Sequence, residues 1–172
     1  MTMSAAKPYR DNVGIALFNT EGQVLIGRRF RSDGPEIILP GFEWQMPQGG
    51  IDADENPREA VMRELWEETG ITHASYLAET AWMTYEFPPY DGPASHRLAK
   101  FRGQRQIWFA LRFFGDDREI DLMTSRNGQP PEFDEWRWER LDRVAELVVP
   151  FRRHVYENVA KAFTAFTGRD AQ

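Results

Sequence analysis

Three glutamates, Glu64, Glu67 and Glu68, stand at i, i+3 and i+4, so on a helix they share one face. Like charges at that spacing repel, and no Lys or Arg follows within a turn to relieve them. Three converging carboxylates suit a hard cation, Mg²⁺ or Mn²⁺ in its place, because these ions take oxygen ligands and are shared with substrate phosphates. A surface helix laced with ion pairs is the competing account, since Glu59–Arg63 and Arg63–Glu67 are both i, i+4. It explains Arg63 but leaves Glu64 and Glu68 unpaired.

The helix that would carry these glutamates is well specified. Asn56 suits the N-cap, Pro57 the first helical position, and Glu59 falls three after the cap as in a capping box. Val61 and Leu65 mark a buried stripe, with Met62 and Trp66 beside it, and Gly70 ends the helix. Elsewhere, residues 13–19 and 23–29 read as a hairpin around Thr20-Glu21-Gly22. Residues 36–40 and 44–47 read as short strands separated by Gly41, and residues 76–87 and 104–114 as longer ones rich in aromatic and β-branched residues.

Between the longer strands, residues 88–103 carry Pro88, Pro89, Gly92, Pro93 and Gly103, a loop long enough to be functional or mobile. Residues 136–140 suggest a last strand and 141–148 a short helix. Phe151, Val155, Val159, Ala162 and Phe166 then fall at the spacing of an amphipathic C-terminal helix. Strands with a few helices, not alternating β and α, point to α+β. No repeat or linker divides the chain, so residues 1–172 read as one domain.

Composition narrows the chemistry. With 41% hydrophobic and 28% charged residues, 172 residues suffice for a proper core. The absence of cysteine excludes disulfides, thiolate metal sites and cysteine nucleophiles. Met1 to Arg10 lacks the apolar run of a signal peptide and no stretch reaches transmembrane length, so a cytoplasmic location is expected and no membrane partner. A net charge of −6 argues against a broad nucleic-acid surface and against DNA, while allowing a local basic mouth.

From Gly49 to Ile71 the chain resembles the Nudix box, Gly-x5-Glu-x7-Arg-Glu-U-x-Glu-Glu-x-Gly-U with U aliphatic. It is filled by Gly49, Glu55, Arg63, Glu64, Leu65, Glu67, Glu68, Gly70 and Ile71 without departure. From average residue usage, chance would give such a match in roughly one chain of this length in ten million. Tyr9-Arg10-Asp11-Asn12-Val13-Gly14, Gly27-Arg28-Arg29-Phe30, Trp44-Gln45-Met46-Pro47-Gln48-Gly49-Gly50 and Pro131-Glu132-Phe133-Asp134-Glu135-Trp136-Arg137-Trp138 are similar to segments of bacterial RNA 5′-pyrophosphohydrolases and of dinucleoside-polyphosphate hydrolases. Order and spacing agree, apart from extra residues within 31–42.

The resemblance implies a mixed sheet between helices, with the box as loop–helix–loop, and Mg²⁺-dependent cleavage of a phosphoanhydride. It adds the Gly49 carbonyl and the Glu132 carboxylate to Glu64, Glu67 and Glu68 as metal ligands, and pairs Glu55 with Arg63 to brace the helix. A glutamate must accept the proton of the attacking water, and Glu68, Glu64 and Glu132 are all candidates. Arg10, Arg28 and Arg29 lie near predicted strand ends, where Arg29 suits a terminal phosphate, though all three also suit exposed surface.

Phe151 and Trp44 match positions where the RNA pyrophosphohydrolases hold a base. Core packing is the other reading of Phe151. Tyr85, Lys100, Arg102 and Arg105 suit distal phosphates or a solvated edge. Gln106 stands where relatives often carry Lys, and His73, His96 and His154 lack metal spacing.

Two substrates follow from the resemblance. One is a triphosphorylated RNA 5′ end losing pyrophosphate, or a diphosphorylated end losing phosphate stepwise. The other is a dinucleoside polyphosphate such as diadenosine tetraphosphate. A non-catalytic nucleotide-binding module is a third reading, and the intact glutamate set argues against it.

Overall fold

Unbroken apolar runs on two long strands decide the layering. In the computed structural model, which describes residues 6–168, β1 (Tyr9–Phe18) and β7 (Gly103–Phe113) run parallel, from Tyr9 opposite Gly103 to Phe18 opposite Arg112. Met1–Ala5, part of the segment read for a signal peptide, lies outside the described residues. Successive side chains point to opposite faces. Val13, Ile15, Leu17, Ile107, Phe109 and Leu111 enter one core, and Ala16, Phe18, Trp108 and Ala110 the other.

A sheet apolar on both faces needs cover on both. Helix α1 (Pro57–Thr69) covers the first face through Ala60, Val61 and Leu65. Helices α2 (Leu141–Leu147) and α3 (Arg153–Ala162) cover the second through Leu141, Val144, Val155, Tyr156 and Val159. The sheet runs β3 (Trp44–Gln45), β2 (Val24–Arg29), β1, β7, β5 (Ala74–Glu79). Three short strands pair antiparallel onto it: β4 (Gln48–Gly50) on β1, β6 (Met83–Glu86) on β7 and β8 (Phe133–Glu139) on β2. This is the α+β arrangement expected, a mixed sheet between helices. Among the described residues no helix is long and apolar enough to cross a membrane.

Three local expectations are corrected. Residues 36–40 form no strand, only an isolated bridge between Asp33 and Glu36. Side chains satisfy that backbone instead: Ser32 Oγ accepts the Ile38 N–H at 3.1 Å and Arg29 Nη2 donates to the Glu36 carbonyl at 2.8 Å. The strand expected over 76–87 is two, β5 and β6, parted where the Thr80 hydroxyl takes the Trp108 N–H at 3.0 Å. The C-terminal stripe is Val155, Tyr156, Val159 and Phe163, with Ala162 exposed and Phe151 in a 3-10 turn (Pro150–Arg152) before α3. Met62 and Trp66 face solvent, 38% and 45% exposed.

Candidate active site

The end of β4, the loop after it and the first three turns of α1 build the acidic wall of a cavity. Asn56 Oδ1 caps the helix by accepting the Glu59 N–H at 2.9 Å, and Asn56 Nδ2 donates to Glu59 Oε1 at 2.7 Å. Glu59 is therefore used at the cap and does not serve Arg63. Gly70 closes the helix at φ 74°, a left-handed conformation that favours glycine.

Arg63 organises everything between. Its Nε and Nη2 donate to the two carboxylate oxygens of Glu55, both at 2.8 Å, and Nη2 also reaches the Gly50 carbonyl at 2.8 Å. Its Nη1 donates to Glu64 Oε1 at 2.8 Å and to Glu67 Oε2 at 3.1 Å. One guanidinium thus ties the loop to two of the three helix glutamates. The expectation that Glu64 stands unpaired is corrected: its predecessor in the chain pairs with it. The hydrogen bonds from Arg63 hold the Glu55 carboxyl below the usual range.

Glu68 differs. Its Oε2 is buried with no hydrogen-bond partner. Burial, and then the like charges of Glu132 and Glu64, push its carboxyl well above the usual range. Burial also raises Glu64, against the opposing pull of Arg63. Carboxylates that cannot all ionise together, one with an orphaned oxygen, call for a proton or a cation among them. Gly49 lies directly against Glu64, since a Cβ there would overlap the carboxylate, so its backbone belongs to the same cluster. Among the described residues, no three acidic or histidine side chains are yet drawn around one point. Arg63 draws Glu64 and Glu67 toward itself instead. The donor set, all hard oxygen with surplus negative charge, fits a divalent metal ion.

The cavity holds about 510 Å³. Glu64, Glu67, Glu68 and Glu132 line it together with Arg10, Arg29, Arg31, Arg97 and Arg152. Glu132 stays exposed at the rim, on the loop entering β8. Arg10 has no hydrogen-bond or ion-pair partner among the described residues, and Arg29 is held by backbone carbonyls alone. Burial lowers the pKa of both, and Glu64 pulls Arg10 the other way.

Several expected positions lie outside this lining. Arg28 precedes Arg29 on β2 and so points to the opposite face, where it grips Asp134 at 2.8 and 2.9 Å. Trp44 is half-buried under the Arg137 guanidinium, 4.3 Å from its ring centroid. Phe151 is half-buried with its ring 6.0 Å from that of Tyr85. Arg102 and Arg105 pair with Glu86 and Asp11 on the surface, and Lys100 is exposed beside Phe101. Gln106 is buried on Asn12 and Gln48, while His73, His96 and His154 bond Glu119, Asp33 and the Thr84 carbonyl.

Compared with known proteins, residues 8–159 match the model of the NUDIX domain. The chain belongs to the Nudix family. An RNA pyrophosphohydrolase of Azorhizobium caulinodans is 49% identical over 168 residues, 96% of this chain and 98% of that one. One of Acidiphilium cryptum is 48% identical over 171 residues, 99% of each. Among solved structures, the MutT protein of Methanosarcina mazei Go1 matches with a TM-score of 0.62 at 23% identity, covering 92% of this chain and 98% of that one. A C. elegans Ap4A hydrolase matches at 0.60 and 17%, covering 91% and 98%. At these identities the structural likeness speaks for the Nudix fold. Nudix hydrolases generally use divalent cations.

Sequence reasoning passed over Glu36, Arg97, Gln104 and Arg152, all of which line the cavity. Only Glu36 carried a signal, a lone acid between Pro35 and the apolar run Ile37-Ile38-Leu39.

Proposed function

We propose that this Nudix hydrolase removes pyrophosphate from triphosphorylated RNA 5′ ends, using Mg²⁺, for which Mn²⁺ can substitute. The observation that carries the reading is one cavity lined by the helix glutamates and by arginines, of which Arg10 has no hydrogen-bond or ion-pair partner among the described residues and Arg29 bonds only backbone carbonyls. A polyphosphate chain is the ligand such a lining suits: its oxygens share cations with the carboxylates and meet the guanidiniums directly. The relatives named RNA pyrophosphohydrolase, near 50% identical over almost their whole length, support RNA as the substrate.

When bound, the divalent cation neutralises phosphate charge and polarises the attacked phosphorus. The residues of the chain do the rest. Arg10 and Arg29 hold the phosphate chain in line. Glu68 Oε2, with no protein partner, takes the proton of the attacking water, while Glu64 Oε1 is engaged by Arg63. The α–β phosphoanhydride breaks, pyrophosphate leaves, and the RNA keeps a 5′ monophosphate. Arg63, through the Gly50 carbonyl and Glu55, fixes the end of β4 that carries the Gly49 carbonyl.

The test is pyrophosphate release from a 5′-triphosphorylated oligoribonucleotide beside hydrolysis of diadenosine tetraphosphate, each with Mg²⁺. The reading expects the RNA to have the higher kcat/KM. Faster turnover of the dinucleotide would replace it with the dinucleoside-polyphosphate reading, and no turnover of either would leave a binding module.

A further inference from the structure

Residues 31–42, the stretch that departs from the family spacing, do more than join β2 to β3. Arg31 Nη2 donates to the Pro131 carbonyl at 2.8 Å, next to Glu132. Asp33 takes His96 Nε2 at 2.9 Å and pairs with Arg97, both on the long loop. Three residues past Asp33, Glu36 lines the cavity and is only 4% exposed. Its Oε1 accepts from the Tyr85 hydroxyl and from Gln104 Nε2 (3.2 Å), and its Oε2 pairs with Arg152. Its backbone carbonyl takes Arg29 Nη2 at 2.8 Å.

Arg29 and Arg152, 7% and 2% exposed, are two buried cations close enough to repel. Such a pair persists only with an anion beside it. Glu36 is that anion, and it treats the two unequally. Its carboxylate cancels the charge of Arg152, which Gln45 Oε1 also orients at 2.7 Å. Arg29 hydrogen-bonds only carbonyl oxygens, which aim the guanidinium, and the charges of Glu36 and Glu132 reach it without a direct ion pair, so it is left to meet a ligand. No step of the reaction described above uses Glu36.

We propose that Glu36 is a positioning residue, which sets Arg29 and Arg152 at the inner end of the cavity and leaves Arg29 as the net cation that receives the substrate's phosphate chain. This rests on the polyphosphate reading of the cavity. Glu36→Gln removes the anion at nearly constant shape, and Glu36→Asp keeps it but withdraws it by one methylene. For Glu36→Gln we expect KM for 5′-triphosphorylated RNA to rise at least tenfold with kcat within threefold, and Glu36→Asp to lie between it and wild type.

Calorimetric titration with inorganic tripolyphosphate reads the same effect without turnover, as a Kd at least tenfold weaker in Glu36→Gln. An unchanged or lower KM and Kd in a folded Glu36→Gln protein overturns the proposal, as does a fall in kcat at constant KM. Should Glu36→Gln not fold, Glu36→Asp decides: wild-type KM and Kd with a lowered melting temperature would make Glu36 scaffold only. Loss of RNA turnover in the wild type with tripolyphosphate binding intact would sink the substrate reading and spare this one. Failure of the wild type to bind tripolyphosphate would sink this one.

Discussion

Replacing Arg63 with Met is the sharpest perturbation of the site, because one guanidinium serves the loop and the helix at once. The five hydrogen bonds it donates, to Glu55 (two), Gly50, Glu64 and Glu67, all disappear. Its side chain is 25% exposed and that of Glu55 13%, so solvent restores little. Breaking a largely buried ion pair from one side costs about 3–5 kcal/mol, since the partner charge stays behind. For a chain of this length, about 2–4 °C accompanies each kcal/mol, so the melting temperature in EDTA should fall by about 6–20 °C.

Adding Glu55→Gln to Arg63→Met should recover part of that loss, with a coupling of about 1.5–3 kcal/mol in a double-mutant cycle. With Gly49 and Glu64 no longer held, kcat should fall at least about a hundredfold. Circular-dichroism melts and a pyrophosphate-release assay read the two effects. An Arg63→Met protein that melts within about 2 °C of wild type, with unchanged kcat, would refute the brace.

Four further outcomes are expected. Glu67→Gln or Glu68→Gln should lower kcat at least about a hundredfold at saturating Mg²⁺; wild-type rates in either would unseat the metal site. The folded pKa of Glu68 is raised, so the folded state holds its proton longer than the unfolded state, and that stabilising contribution fades as pH rises. Metal-free Glu68→Gln should accordingly melt above wild type at pH 8 and approach it below about pH 4; a gap that does not narrow in acid would count against this.

Glu36 has the opposite sign. Burial pushes its carboxyl up, but the Arg152 charge and the hydrogen bonds from Tyr85 and Arg152 outweigh it, so its stabilisation is present above about pH 4.3 and fades as pH falls through the lowered folded value. The melting deficit of Glu36→Gln should shrink in acid, and a deficit constant from pH 7 to pH 3 would contradict it. Phe151→Ala should cost about 1–3 kcal/mol, less than full core loss, because the ring is only half-buried. It should also raise KM for RNA about tenfold through lost base stacking, and an unchanged KM would leave Phe151 as packing.

The local motifs were legible in the chain because each depends on neighbours in sequence. Asn56, Pro57 and Glu59 specify where α1 starts and Gly70 where it stops, whatever packs against the helix. The i, i+3, i+4 spacing places Glu64, Glu67 and Glu68 together by helix geometry alone, and alternation along residues 13–18 and 107–113 tells which side chains face which core. Tertiary structure decided what depends on distance. The pairing of β1 with β7 joins positions 94 apart, from Tyr9 opposite Gly103 onward, and brings the long loop to the cavity mouth. The order of the sheet carries Glu132 to the helix glutamates. Glu36 and Arg152, 116 positions apart, meet as a buried ion pair although neither announces the other. A propensity or a cap is a property of a few consecutive residues, whereas the partner of a buried charge is chosen by the fold.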